Sequence, residues 1–161
     1  MNYLAAGWFT PKQGMVYNKV CDAIKNAGLY DQFFIPRDMG INLQAMKPEE
    51  RMRKLSYVFA LDFGMIVYSH KKRGFMLAII DDFDTGMVWE IGAAFGMSLG
   101  QYPIVTYSDV GYGLNVMIRE SVMGHIKGIS GLNDFLREIK IADKNMFEIV
   151  KGYQDFSDKV F

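Results

Sequence analysis

The chain has 161 residues, half of them hydrophobic, and its 18 basic and 18 acidic residues cancel. This length and composition are enough to bury one core, so we expect a single domain over residues 1–161. The balanced charge provides no broad electrostatic attraction to nucleic acid or membranes, and we expect neither as a partner. The single Cys21 excludes an internal disulfide and is typical of a cytoplasmic protein. We expect neither a membrane-spanning segment nor a signal peptide.

Strand and helix patterns alternate along the chain. In chain order they predict a strand at residues 3–6, a helix at 11–27, a strand at 32–36, a helix from 48 to about 63 or beyond, a strand at 75–80, a helix at 85–99, a strand at 102–107, a helix at 114–122, a strand at 125–129 and a helix at 132–139. Residues 37–46 and 109–113 predict loops, and the tail is mixed. The alternation predicts an α/β three-layer sandwich, with helices flanking a five-stranded parallel sheet.

Local signals mark several of these boundaries. Thr10 suits the N-cap of the first helix, Pro11 its first turn, and Gly28 its end. The basic turn at residues 70–74 is open to two interpretations, a solvated loop or a phosphate site. The solvated loop is the simpler one.

Carboxylates gather directly after the third predicted strand. Asp81, Asp82 and Asp84 lie there, and Glu90 follows in the first turns of the next predicted helix. In open parallel sheets, ligands bind beyond the carboxyl ends of the strands. We therefore expect the active site at this position. If Asp84 or the threonine after it caps the helix, the helix dipole should favour the ionised form of Glu90.

These acids are suited to glycosyl transfer. A positioned, ionised Glu90 could act as a covalent nucleophile, with a second carboxyl group handling the proton. The candidates for that second group are Asp62, Asp81, Asp82 and Asp84. A simpler interpretation is also open, in which Asp84 only caps the helix and Glu90 is solvated.

The sequence offers no metal or cofactor motif. The histidines, His70 and His125, stand apart from one another, and there is no cysteine pair. There is no phosphate-binding loop and no dinucleotide fingerprint. We therefore expect neither a metal nor an organic cofactor.

Three motifs carry a resemblance to a known family. Residues 3–13, Tyr-Leu-Ala-Ala-Gly-Trp-Phe-Thr-Pro-Lys-Gln, resemble the opening motif of the nucleoside 2-deoxyribosyltransferases. Asp84-x-Gly86-x-x-x-Glu90-x-Gly92 resembles the nucleophile motif of that family, and residues 114–117 resemble its Asn-Leu-Met motif. The motifs occur in the family's order within about the first 120 residues.

The resemblance implies a double displacement with net retention. Glu90 would attack C1′ of a 2′-deoxynucleoside and form a deoxyribosyl ester, and a second base would then take the sugar. Tyr3 would orient Glu90, and Asp62 would handle the proton of the leaving base. The implied partners are 2′-deoxynucleosides and free purine and pyrimidine bases, without a cofactor. The family also implies a flavodoxin-like, or Rossmann-like, fold.

The resemblance further implies an active site shared between subunits. Asp84 would bind a sugar hydroxyl near the 5′ end, and Asn115 would join it from a neighbouring subunit. Met117 would pack against the nucleophile, and its interpretation as an ordinary core residue would also be partly true. The terminal carboxylate of Phe161 would reach an adjacent site. We expect a homo-oligomer, either a dimer or a hexamer built as a trimer of dimers.

Four residues are expected near the base. Gly7, Trp8 and Phe9 belong to the opening motif; Phe9 would wall the base pocket, and Trp8 would mainly pack the fold. Asp38, at the start of the predicted loop after the second strand, would also lie near the base. Residues 7–10, Gly-Trp-Phe-Thr, resemble the broad-specificity branch of the family, which we favour, whereas residues 89–92, Trp-Glu-Ile-Gly, resemble its purine-restricted branch.

Two alternatives remain open at this point. One is an N-glycoside hydrolase that uses the same glutamate on deoxynucleosides or their 5′-monophosphates. A carboxylate at Asp84 disfavours the monophosphates because it would repel the phosphate. The other is a non-catalytic nucleotide-binding module, which the fold alone would permit.

Overall fold

A computed structural model describes residues 1–39, 46–110, 114–141 and 145–154, apart from the side chain of Met39. The strands are β1 (Asn2–Ala5), β2 (Phe33–Phe34), β3 (Met76–Ile79), β4 (Ile104–Ser108) and β5 (Gly124–Lys127). The helices are α1 (Pro11–Asn26), α2 (Pro36–Met39), α3 (Pro48–Lys71), α4 (Thr85–Ser98), α5 (Val116–Ser121), α6 (Gly128–Ile141) and α7 (Met146–Lys151). The predicted alternation of strands and helices is confirmed.

All five strands lie parallel in one sheet, in the order β2-β1-β3-β4-β5. This is the flavodoxin-like order, in which the chain reverses its direction of winding between β1 and β3. Tyr3 pairs with Met76 and Ala5 with Ala78 at that junction. The loops that follow β1 and β3 therefore emerge side by side, at the edge where such sheets bind ligands.

Two apolar cores cover the two faces of the sheet. Alternate strand residues point to opposite faces, so Leu4 and Leu77 join a core with α1, α6 and α7. Tyr3 and Ala78 point the other way and pack with side chains of α3, α4 and α5. The predicted three-layer sandwich is confirmed.

The structure corrects the prediction in two segments. Residues 36–39, most of them assigned to a loop, form the short helix α2, which begins at a proline, as helices often do. The mixed tail contains α7, where Ile149 and Val150 are buried. Residues 40–45 of the predicted loop lie outside the described residues, as do residues 111–113.

Side-chain caps set the starts of the two helices nearest the junction. Thr10 caps α1 and accepts from the backbone N–H of Gln13, whose side chain reaches back to complete a capping box. Asp84 caps α4. Within the described part of the chain, no helix is long and apolar enough to cross a membrane.

Candidate active site

A hydrogen bond joins β1 to α4 at the centre of the candidate site. The Tyr3 hydroxyl donates to Oε1 of Glu90 at 2.6 Å, across 87 residues of sequence. Tyr3 is fully buried, and its burial together with the charge of Glu90 raises the pKa of the phenol. The phenol therefore keeps its proton and remains a donor. The structure thus brings together the two residues that the motifs predict as nucleophile and orienting group.

The protonation of Glu90 is dominated by its burial. Removal from water raises the pKa of Glu90 to about 8, and the charges of Asp62 and Asp84 act in the same direction. The hydrogen bond from Tyr3 opposes this shift. Burial also raises the pKa of Asp62, in α3, to about 6. At neutral pH the free protein therefore holds one proton on this pair of carboxyl groups, mainly on Glu90.

This corrects the expectation that the helix dipole keeps Glu90 ionised. Asp84 is the N-cap of α4, so Glu90 is the sixth helical residue and lies in the second turn. The influence of the dipole is largely confined to the first turn. Burial is the larger effect, because it removes most of the water that would solvate the charge.

Asp84 lies beside the loop that follows β1. Its Oδ2 accepts from the backbone N–H of Met87 at 2.9 Å, which confirms Asp84 as a cap. A Cβ on Gly7 would lie 2.7 Å from the Cβ of Asp84, closer than real side chains approach. Gly7 is therefore the residue that allows the β1 loop to pack against Asp84.

Gln13 joins the two loops, and the sequence analysis did not assign it to the site. Its Nε2 donates to the backbone oxygen of Asp82 at 2.8 Å, and its Oε1 accepts from the N–H of Phe9 at 2.9 Å. The Thr10 hydroxyl donates to Oδ2 of Asp82 at 2.9 Å. The capping-box spacing of Thr10 and Gln13 was the signal available in the sequence.

Asp81 and Asp82 are engaged in structural contacts, so they are poor candidates for the second carboxyl group. Asp81 is buried, and its side chain accepts from the Ser108 hydroxyl at 3.2 Å and from the backbone N–H of Asp109 at 2.7 Å. These bonds join the ends of β3 and β4. Of the four predicted candidates, Asp62 and Asp84 are the two whose charges act on Glu90.

The residues expected near the base lie in two separate groups. Trp8 stacks on Phe9 with ring centroids 5.1 Å apart and packs against the core, as predicted, whereas Phe9 is 59% exposed. Asp38, in α2, accepts from the Tyr30 hydroxyl at 2.6 Å and from Arg37 at 3.1 Å. Although burial acts to raise the pKa of Asp38, these two bonds lower it. No contact among the described residues joins Asp38 to Glu90.

The residues expected to act between subunits are exposed in the single chain. Asn115 caps α5 by accepting from the backbone N–H of Met117 at 2.8 Å. Met117 is 74% exposed, so its interpretation as an ordinary core residue is wrong. Neither residue has a described contact with Glu90, and Phe161 lies outside the described residues. In the described ranges, no group of three or more His, Cys, Asp or Glu side chains is placed to hold a metal ion.

The fold is that of a solved transferase. The structure resembles that of the 2-deoxyribosyltransferase from the psychrotolerant bacterium Bacillus psychrosaccharolyticus, with a TM-score of 0.67 and 24% sequence identity. The likeness covers 83% of this chain and 90% of that one. No protein-family model and no curated protein matches the sequence. The likeness confirms the predicted α/β architecture.

The raised pKa of Glu90 predicts a pH-dependent effect of Glu90→Gln on stability. The folded pKa of about 8 exceeds the unfolded value of 4.5, so wild-type stability should fall as pH rises between these values. The slope is at most about 1.4 kcal/mol per pH unit. Gln does not titrate, so the unfolding free energy of the variant relative to that of wild type should rise progressively between pH 5 and 8, as measured by urea unfolding. Glu50→Gln, at an exposed position of α3, is the control. If the unfolding free energies of wild type and Glu90→Gln changed in parallel with pH, the raised pKa of Glu90 would be contradicted.

Proposed function

We propose that the protein is a nucleoside 2-deoxyribosyltransferase that exchanges the bases of 2′-deoxyribonucleosides through a covalent ester on Glu90, in nucleoside salvage. The observation that carries the proposal is the 2.6 Å bond between Tyr3 and Glu90, at the β1–β3 junction and beside Asp62. The fold shared with a solved 2-deoxyribosyltransferase supports it. So do the three sequence motifs, whose first two meet at this junction.

The first step needs an ionised nucleophile and a protonated acid. The free protein holds one proton on the Glu90–Asp62 pair, mainly on Glu90. Moving this proton to Asp62 gives the reactive arrangement without gain or loss of a proton. Glu90 then attacks C1′ as the bond to the base breaks, and the proton on Asp62 passes to the leaving base. The hydrogen bond from Tyr3 favours the ionised form of Glu90 during this step.

The second step reverses the roles of these groups. An incoming base attacks C1′ from the face that the first base left, and the bond between the sugar and Glu90 breaks. The carboxylate of Asp62 takes the proton that the incoming base loses. Two inversions give net retention, as in retaining glycosidases. Asp84, held by its cap and by the close approach of Gly7, would bind a sugar hydroxyl.

An exposed apolar surface next to the site supports self-association. On α3 and α4, Phe59 and Trp89 contact each other with ring centroids 5.2 Å apart and are 55% and 47% exposed. Val88 and Phe95 on α4 are also exposed. Such apolar surface commonly marks a protein interface. Since Trp89 precedes Glu90, a subunit docked here would lie at the edge of the site and could supply Asn115.

The cytoplasmic location of the protein stays a prediction.

A product assay tests the proposed reaction. Purified protein is incubated with thymidine and free adenine, and separately with thymidine alone, and the products are separated by chromatography. Deoxyadenosine should form only when adenine is present, because the ester is transferred to a base. Glu90→Ala should abolish it, whereas Glu50→Gln should retain it. Free thymine in both tubes without deoxyadenosine would indicate the hydrolase. Absence of turnover with purine and monophosphate donors as well would indicate a binding module.

The shared proton predicts a bell-shaped pH profile. For wild type, kcat/KM should fall below about pH 6, where both carboxyl groups are protonated, and above about pH 8, where both are ionised. Asp62→Asn removes the acid, so its kcat/KM should be about 10²–10⁴-fold lower. In that variant the rate should rise with pH through the ionisation of Glu90 without a fall at high pH. Profiles of the same shape for both proteins would exclude the shared proton.

A complementation experiment tests the shared active site. Glu90→Gln and Asn115→Ala should each be inactive alone. After subunit exchange in an equal mixture, a dimer with shared sites should recover about one quarter of the wild-type sites, because half of the random dimers carry one intact site. If the mixture stays inactive although exchange is verified by mass spectrometry, Asn115 acts within its own chain. Activity of Asn115→Ala alone would show that Asn115 is not needed at the site.

A further inference from the structure

A cavity lies at the end of the sheet opposite the candidate active site. Its volume is about 490 Å³, within the range of small-molecule sites. The residues that matter for its chemistry come from the end of α3, the segment before β4, and α7: His70, Arg73, Gln101, Pro103, Met146 and Phe147. Because α3 ends just before β3, and Pro103 just precedes β4, the cavity lies at the amino ends of these strands. Glu90 and Asp84 belong to the carboxyl ends.

Arg73 occupies an unusual backbone position beside this cavity. Its φ is 55°, in the left-handed region, and it closes α3 by donating from its N–H to the oxygen of His70 at 3.0 Å. Helices commonly end with glycine at this position, because glycine has no Cβ to clash. Strained residues of this kind concentrate at ligand sites. Among the residues that the structure describes, no carboxylate pairs with the guanidinium of Arg73.

The cavity lining combines a cationic side chain with apolar ones. Arg73 can bind a phosphate through two N–H groups. His70, also at the end of α3, lines the cavity and packs on Tyr102 with ring centroids 5.4 Å apart. Met146 and Phe147 supply apolar lining against which a base can pack. One face of the Phe147 ring is covered by Nζ of Lys151, 4.8 Å from the ring centroid, so a base would use the rest of this lining. The amide of Gln101 can bond to the edge of that base.

We propose that this cavity binds a nucleoside 5′-monophosphate, with its phosphate on Arg73 and its base against Phe147. The carboxyl groups of Asp62 and Asp84 oppose a phosphate at the candidate active site, which leaves this cavity as the favourable place for a phosphorylated nucleoside. The choice of a nucleoside rests on the proposed function, because the deoxynucleosides that a transferase forms are substrates for phosphorylation. The anion site rests on Arg73 and the cavity.

Calorimetric titration of the full chain with deoxyadenosine 5′-monophosphate tests this proposal. Inorganic phosphate is a separate arm and should bind at least about 10-fold more weakly than the nucleotide, because it makes only part of the contacts. Unphosphorylated deoxyadenosine is a second arm, and its binding should be unchanged by the Arg73 variants, since the proposed active site takes deoxynucleosides. Arg73→Gln should weaken nucleotide binding at least about 10-fold through loss of a charge-assisted contact. Lys71→Gln is the matched control, since it removes the same charge at an exposed position that does not line the cavity.

A second variant separates loss of binding from loss of the fold. Arg73→Gly should weaken binding as Arg73→Gln does, yet should not lower the thermal unfolding midpoint, because glycine adopts the left-handed conformation without a steric clash. Equal binding by wild type and both variants would overturn the proposal, as would displacement of the nucleotide by excess thymidine. Equal affinities for inorganic phosphate and for deoxyadenosine 5′-monophosphate would overturn the assignment of a nucleoside to the cavity. The heat of nucleotide binding does not depend on turnover. The binding result can therefore be interpreted even if the base-exchange assay shows no activity.

Discussion

The burial of one carboxyl group, Glu90, is the constraint on which the candidate site depends. A carboxyl group removed from water keeps its proton to higher pH, unless donors compensate. The Tyr3 hydroxyl, held by a central strand, supplies one donor at 2.6 Å. The parallel sheet makes this contact possible, because β1 and β3 release their loops and α4 at the same edge. Burial of such a group costs the folded protein some stability, a cost commonly seen at functional sites.

The acidic side chains that follow β3 differ in role, although they are chemically similar. Asp81 joins the ends of β3 and β4, and Asp82 joins the two loops through Thr10 and Gln13. These bonds hold the loop that leads to Asp84 and α4. Positioning of this kind matters for catalysis, since small displacements of a reacting group are costly. The carboxylates that build the loop thus hold in place Asp84, one of the two carboxyl groups whose charges act on Glu90.

The two ends of the sheet differ in charge, although the chain is neutral as a whole. Acids gather at the carboxyl ends of β1 and β3, where the proposed chemistry needs a nucleophile and a proton carrier. Basic side chains, including Arg73, gather where α3 ends, at the amino end of β3. Opposite charges at separate ends would allow one small domain to bind the proposed neutral nucleoside at one place and the proposed anion at another.

The sequence by itself determined the order of the elements and the local caps at Thr10 and Asp84, because apolar periodicity and capping act over a few residues. Its motifs also predicted the pairing of Tyr3 with Glu90. Only the tertiary structure decided the protonation of Glu90, since that depends on how α3 and α4 exclude water around the group. It likewise decided that Asp81 and Gln13 hold the loops and that Met117 is exposed. Burial and long-range hydrogen bonds arise when distant segments pack, and sequence spacing does not encode them directly.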